Sequence, residues 1–186
     1  MTYASWSEAF DTCVEVLIRR AHAVDAERIG ETRVRAWQAA YSAFLPSEFL
    51  LKLDPNANLD RLRQLIENEN PLPIVTVAEV DGIARGFSIL GAPRLPASSA
   101  ALELWALNVH PDYWRTGLAT RLVMQITQIH PTTDIELWCL QGNLPAEALY
   151  QRCGFHKTGE ERTTQHLTGQ PLTECKFVRM PERGAS

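Results

Sequence analysis

The sequence has no Cys-x-x-Cys pair, no His-x-His or His-Glu-x-x-His pattern, no Gly-x-Gly-x-x-Gly and no Walker-type phosphate loop. Its four cysteines (Cys13, Cys139, Cys153 and Cys175) and five histidines (His22, His110, His130, His156 and His166) are widely scattered. Zinc sites and dithiol redox centres depend on close ligand spacing, so no metal is assigned. The cysteines read as free thiols, with Cys139 and Cys175 inside apolar strand-like runs. Long apolar runs are also missing. A membrane-spanning helix needs about 20 consecutive apolar residues, and nothing in the chain approaches that, so no membrane partner is expected. The N-terminal MTYASWSEAFDT carries Glu8 and Asp11 instead of the basic-then-apolar pattern of an export signal, which makes a cytoplasmic location the expectation. There is no excess of basic charge: 18 Lys and Arg against 22 Asp and Glu leave a net charge of −4. That balance argues against a nucleic-acid partner. It favours, mildly, a cationic small molecule over a phosphorylated one.

What is present is a globular composition. Of 186 residues, 45% are hydrophobic and 22% charged, enough apolar mass for one real core. The expected organisation is an arm at 1–13, one domain at 14–180 and a polar tail at 181–186. VEVLIRR (14–20) reads as a strand. Asp25 is a plausible N-cap for a helix on which Trp37 and Tyr41, four residues apart, share a face. Short helices follow from Pro46 to Leu53 and over roughly 57–69. IVTVAEV (74–80) and IARGFSIL (83–90), joined by Asp81-Gly82, form a hairpin signal. ALELWALNV (101–109) is a further strand. Leu118, Leu122, Val123 and Ile126 then mark a helical face that ends before Pro131. DIELWCL (134–140) is a strand, 144–153 a helix stopped by Gly154, and FHKTGEE and TECKFVRM close the chain as paired strands. Strands alternating with helices and linked by hairpins predict an α/β fold with a mixed sheet and helices on both faces.

The chemistry sits in VHPDYWRTGLAT (109–120). A strand ends, the chain turns through Gly117, and a helix begins. Gly117 and Ala119 keep that turn small, so backbone amides without intrahelical acceptors can approach an anionic ligand, aided by the helix dipole. A pyrophosphate suits such a site, with Arg115, Thr116 and Thr120 as further donors. Asn143, Ala146 and Tyr150 fall on one face of the later helix, followed by Gly154-Phe155.

Taken together, V-x-P-x-x-W-x-x-G-x-A and N-x-x-A-x-x-x-Y-x-x-x-G-F resemble the GNAT superfamily of acyl-CoA-dependent N-acetyltransferases, over nearly the whole of 14–180. RAWQAAYSAFLP is similar to the acceptor-side helices of that family, which implies that Trp37 and Tyr41 contact the acceptor. The family's phosphate loop is usually Q/R-x-x-G-x-G/A, often with a further Gly after the first position. Here Trp114 and Arg115 depart from it, while Ala119 fits. The resemblance implies a GNAT fold, mostly antiparallel, with a splayed sheet, and acetyl-CoA as co-substrate. The amides of Arg115, Thr116, Gly117, Leu118, Ala119 and Thr120 would hold the pyrophosphate. Backbone groups of Leu107 and Val109 would meet the acetyl carbonyl and the pantetheine amide, and Asn143 would touch the cofactor or fix its helix. Tyr150 would protonate the departing thiolate, and Glu103 would serve as base toward the amine.

Strand alternation puts Glu103 on one face with Trp105, Leu107 and Val109, where apolar neighbours would raise its pKa. An exposed loop explains His110, and a solvated face explains Glu160-Glu161-Arg162. The expected activity is direct acetyl transfer to a primary amine on a small molecule or peptide. A CoA-binding sensor without catalysis and an unrelated α/β ligand-binding domain are the alternatives. The sequence also permits a homodimer through the C-terminal strands.

Overall fold

Asp81 and Gly82 adopt φ of 49° and 78°, the left-handed pair of a tight hairpin turn. They join β2 (Ile74–Val80) to β3 (Ile83–Gly91), around which the sheet is laid. The computed structural model describes residues 15–181 apart from residue 97 and residues 166–170. The arm expected at 1–13 and the tail beyond Pro181 lie outside the described residues. The remaining strands are β1 (Val16–Arg20), β4 (Leu102–Val109), β5 (Ile135–Leu140), β6 (His156–Thr164) and β7 (Leu172–Arg179). The helices are α1 (Ala26–Ala40), α2 (Ser47–Leu51), α3 (Leu59–Ile66), α4 (Leu118–Ile129) and α5 (Leu144–Arg152).

The seven strands form one mixed sheet in the order β1-β2-β3-β4-β5-β7-β6. Every neighbouring pair is antiparallel except β4 with β5. Helices cover both faces, as the binary pattern predicts. On one face Ala26 and Ile29 of α1 and Ile66 of α3 pack on Val75, Val77, Ala84 and Phe87. On the other, Val123 and Ile126 of α4 and Tyr150 of α5 pack on Leu102, Leu104, Ile135, Leu137 and Phe177.

Two local expectations shift. The helix expected over 57–69 is confined to α3, because the chain must leave helical geometry ahead of Pro71 and Pro73. Asp25 does not cap α1 with its side chain. It belongs to a 3-10 turn (Ala23–Asp25), where its carboxylate accepts from the His22 amide at 2.8 Å and from Arg19 at 2.7 and 3.0 Å.

Helix α1 is held at a short distance from the loop before α3. A Cβ placed on Gly30 would collide with the Pro55 carbonyl, so that approach requires glycine. In a free helix, Gly→Ala gains about 1 kcal/mol. Here overpacking against backbone costs roughly 1–3 kcal/mol. Gly30→Ala is therefore expected to lower the melting temperature, and a thermal unfolding curve that rises instead would refute the packing account.

Candidate active site

The register of β3 against β4 runs evenly from Gly86↔Val109 to Ile89↔Ala106, then jumps to Leu90↔Leu104. Trp105 is the extra residue of a β-bulge. One inserted residue reverses the in–out alternation beyond it. Leu102 and Leu104 face α4, Ala106 turns to the α1 side, and Leu107 and Val109 return to α4. Glu103 therefore does not share a face with Leu107 and Val109, and the even alternation expected from the sequence is corrected at this bulge.

Glu103 is fully buried. Its Oε1 accepts from Arg94 Nε at 2.9 Å and Nη2 at 2.5 Å, and its Oε2 accepts from the Arg94 amide at 2.7 Å. The residue does not line the cleft described below. The carboxylate expected to act as base toward the amine is here engaged by Arg94 in holding the β3–β4 connection. The Trp105 indole lies across Gly91, whose missing side chain makes room for it, and donates to the Ala92 carbonyl at 2.9 Å. The Arg94 guanidinium lies 5.8 Å from the Trp105 ring centroid.

A bulge sharpens local twist, and β4 parts from β5 just beyond it. The two strands pair only at Leu102↔Ile135, Glu103↔Glu136 and Leu104↔Leu137. The His110 amide donates to the Arg85 carbonyl at 2.8 Å. By antiparallel alternation the backbone groups of Leu107 and Val109 then point away from β3, into the gap. The Val109 carbonyl is already engaged there, accepting from Trp114 Nε1 at 2.7 Å. Trp114, the departure from the family's loop, thus pins the loop to the end of β4. His110 accepts from the Asp112 amide at 3.4 Å and stands outside the cleft.

The loop then enters α4 through two left-handed residues, Arg115 at φ 65° and Gly117 at φ 91°. A Cβ on Gly117 would meet nothing within 4 Å, so the space over this turn is open. Among the described residues, no amide from Arg115 to Thr120 donates to a backbone carbonyl. Six amides at a helix N-terminus with unfilled hydrogen-bonding capacity suit an anion. The Thr116 hydroxyl is not one of the available donors, because it donates to the Tyr113 carbonyl at 2.7 Å. These features fit the pyrophosphate of a coenzyme A.

A cleft of about 680 Å³ occupies the gap between β4 and β5 and spreads over the α1 side. Helix α1 and its C-cap contribute Arg33, Trp37 and Tyr41 at four-residue spacing, and the two aromatic rings meet edge-on at 5.2 Å. From the opposite wall come Asn143 and Tyr150 of α5. Asn143 also caps that helix, accepting from the Ala146 amide at 3.4 Å. Tyr150 packs against Phe155 and Phe177 at 6.0 and 6.1 Å. Burial, and after it the neighbouring Cys139 and Tyr41, pushes the Tyr150 hydroxyl far above the ordinary tyrosine range, so it is protonated at neutral pH. Burial first, then Cys139 and Glu174, likewise pushes the Tyr41 hydroxyl up to about 12, against a hydrogen bond with Asn143. Cys139 is pushed up to about 12, chiefly by burial. Cys153 is raised for the same first reason and lies outside the cleft.

Arg33, Arg94, Trp138, Arg162 and Glu174 also line the cleft and were not assigned to it from the sequence. Arg162 is not on a solvated face as expected. Its Nε donates to Glu174 Oε2 at 2.6 Å, and its guanidinium stacks 4.3 Å from the Trp138 ring centroid. Glu160 and Glu161 are exposed as expected. The period-two placement of Trp138 in DIELWCL was a readable signal. The meeting of Arg162 with Glu174 depends on the β6–β7 register, which no local pattern sets. Among the described residues no cluster of three or more His, Cys, Asp or Glu could hold a metal, and no helix is long and apolar enough to cross a membrane.

A model of the acetyltransferase (GNAT) family matches residues 31–155. The chain is 25% identical over 160 residues to a probable N-acetyltransferase of Mycobacterium tuberculosis, covering 83% of this chain and 87% of that protein. The PaiA N-acetyltransferase of Thermoplasma acidophilum, solved with coenzyme A, superposes with a TM-score of 0.70 at 17% identity, covering 89% of this chain and 99% of that one. A ribosomal-protein-alanine N-acetyltransferase of Brucella melitensis gives 0.65 at 20% identity, covering 88% and 99%.

Two outcomes test this geometry. Glu103→Gln is expected to destabilise the fold by about 1–3 kcal/mol in chemical denaturation, because it weakens a buried charged hydrogen-bond set. It should leave the pH dependence of turnover in place, and loss of the acidic limb would restore Glu103 as a base. Gly117→Ala is expected to weaken coenzyme A binding about tenfold by calorimetry, since a left-handed non-glycine residue costs roughly 1–2 kcal/mol.

Proposed function

Because the chain belongs to the acetyltransferase (GNAT) family, we propose that it transfers an acetyl group from acetyl-CoA directly to a primary amine on a small molecule or peptide. The observation that carries this reading is the gap beyond Leu104↔Leu137, with Leu107 backbone on one wall and a protonated Tyr150 on the other. The Gly117 loop, tied to the end of β4 through Trp114, supplies amides for the diphosphate. Acetyl-CoA brings a thioester, whose carbonyl the Leu107 N–H would polarise from the gap. Arg33, Trp37 and Tyr41 form the side from which the amine would enter.

Protons and bonds balance without a covalent enzyme intermediate. The ammonium loses one proton to water in the open cleft before attack. As its nitrogen bonds the acetyl carbon and the C–S bond breaks, a second proton leaves nitrogen. Tyr150 protonates the leaving sulfur and is restored by that second proton, so the products are the N-acetylated acceptor, free CoA thiol and one proton. Burial pushes the Cys139 and Cys153 thiols up, away from the nucleophilic thiolate form.

The test is a thiol-release assay across amine classes. Tyr150→Phe is expected to lower kcat about a hundredfold, the range of a lost general acid, with coenzyme A affinity retained. Cys153→Ser should keep its rate. Abolished turnover in Cys153→Ser beside an unchanged Tyr150→Phe would replace direct transfer with a covalent route.

A further inference from the structure

The acceptor side of the cleft opposes the mild net acidity of the whole chain. Among the described residues, three arginines line it (Arg33, Arg94 and Arg162), against one carboxylate, Glu174. Arg94 is balanced from beneath by the buried Glu103, and Arg162 by Glu174. Arg33 reaches only carbonyls, those of Asp54 and Ala57, at 3.2 and 3.5 Å. The wall therefore carries surplus positive charge, which repels a polycationic acceptor and attracts one that bears an anion.

The Arg162–Glu174 pair has a more specific shape. Opposite charges stand 2.6 Å apart, both side chains are mostly buried, and both line the cleft. A guanidinium has five N–H donors, and its bond to Glu174 uses one of them. Trp138 holds the guanidinium plane in place from below, at 4.3 Å. An ammonium and a carboxylate borne by one carbon of a small molecule would complement that pair, sign for sign. Glu174, Tyr41 and Tyr150 line the same cleft, so an ammonium directed to Glu174 shares that space with the acid. Around the pair, Trp37, Trp105 and Trp138 leave apolar walls for a side chain.

We infer that the acceptor is a free α-amino acid with an apolar or aromatic side chain, its ammonium directed to Glu174 and its carboxylate to Arg162. The inference rests on the acetyltransferase reading above and narrows its acceptor. The reaction gives the N-acetyl amino acid: the N–C bond forms, the C–S bond breaks, one proton passes to sulfur and one to water.

The experiment compares, on the full chain with acetyl-CoA, phenylalanine, tryptophan, leucine and methionine with their amides, their methyl esters, the decarboxylated amines and spermidine. Free amino acids are expected to exceed their carboxylate-free counterparts in kcat/KM by about tenfold to a hundredfold, the worth of a charged hydrogen bond. Arg162→Gln should raise KM for the amino acid by a similar factor while shifting the amide far less, and Arg162→Lys should recover part of the loss. A coenzyme A isotherm on each variant reports that it is folded. Equal or better turnover of esters, amines or spermidine overturns the inference and leaves the acetyltransferase reading standing. So does an Arg162→Gln variant that binds coenzyme A yet loses amino acid and amide alike. If coenzyme A binds but no amine of any class releases thiol, the acetyltransferase reading falls, and this inference falls with it.

Discussion

β4 and β5 share a ladder at only three residue pairs, ending at Leu104↔Leu137, while both strands continue beyond it. A parallel pair that simply stopped would leave buried backbone groups without partners, at a cost of about 1–3 kcal/mol each. Here the Leu107 groups and the Val109 amide face an open gap, with room for an acyl-CoA arm in place of the missing strand, while the Val109 carbonyl is taken by Trp114. The bulge at Trp105 gives β4 the extra twist to part from its neighbour and turns Leu107 back toward α4. The gap beside β4 takes its shape from that one inserted residue.

The same bulge leaves charge to be managed on the acceptor side. Glu103 and Glu136 stand side by side on β4 and β5, both fully buried. Neither could remain there charged without a cation brought from elsewhere. Arg94 arrives from the β3–β4 connection, and Lys176 from β7 at 3.1 Å, while Ser98 donates to Glu136 at 2.6 Å. These interactions fix the connection after Gly91 over Trp105, which makes one wall of the cleft rigid. Glu103, expected as a base from its place on the strand, is held within this set of interactions. Among the described residues, the charged groups left facing the cleft are Arg162 and Glu174, together with Arg33 and Arg94.

Much of the fold was legible because its signals are local. Asp81-Gly82 takes the positive φ values its residue types favour, and Gly117 takes the left-handed turn ahead of α4. Trp37 and Tyr41 share a helix face and do meet, edge to edge. Extending that stripe back four residues would have added Arg33. Glu103 was misread because alternation is a rule for an uninterrupted strand, and nothing in LELWALNV announces an insertion between Leu104 and Ala106. The Thr116 hydroxyl was expected to serve a ligand and Arg162 to face water, and each has a protein partner at hydrogen-bond distance instead.

The sequence by itself determined the helices, the hairpin and the amide-rich turn, together with the family to which they belong. Propensity, turn chemistry and periodicity act over a few neighbouring residues, so they can be read along a line. Tertiary structure alone decided which carboxylate is structural and which faces the cleft, and which arginine meets which acid. Those outcomes depend on strand register and on a single-residue bulge, where partners far apart in sequence come together and a shift of one position exchanges inside for outside.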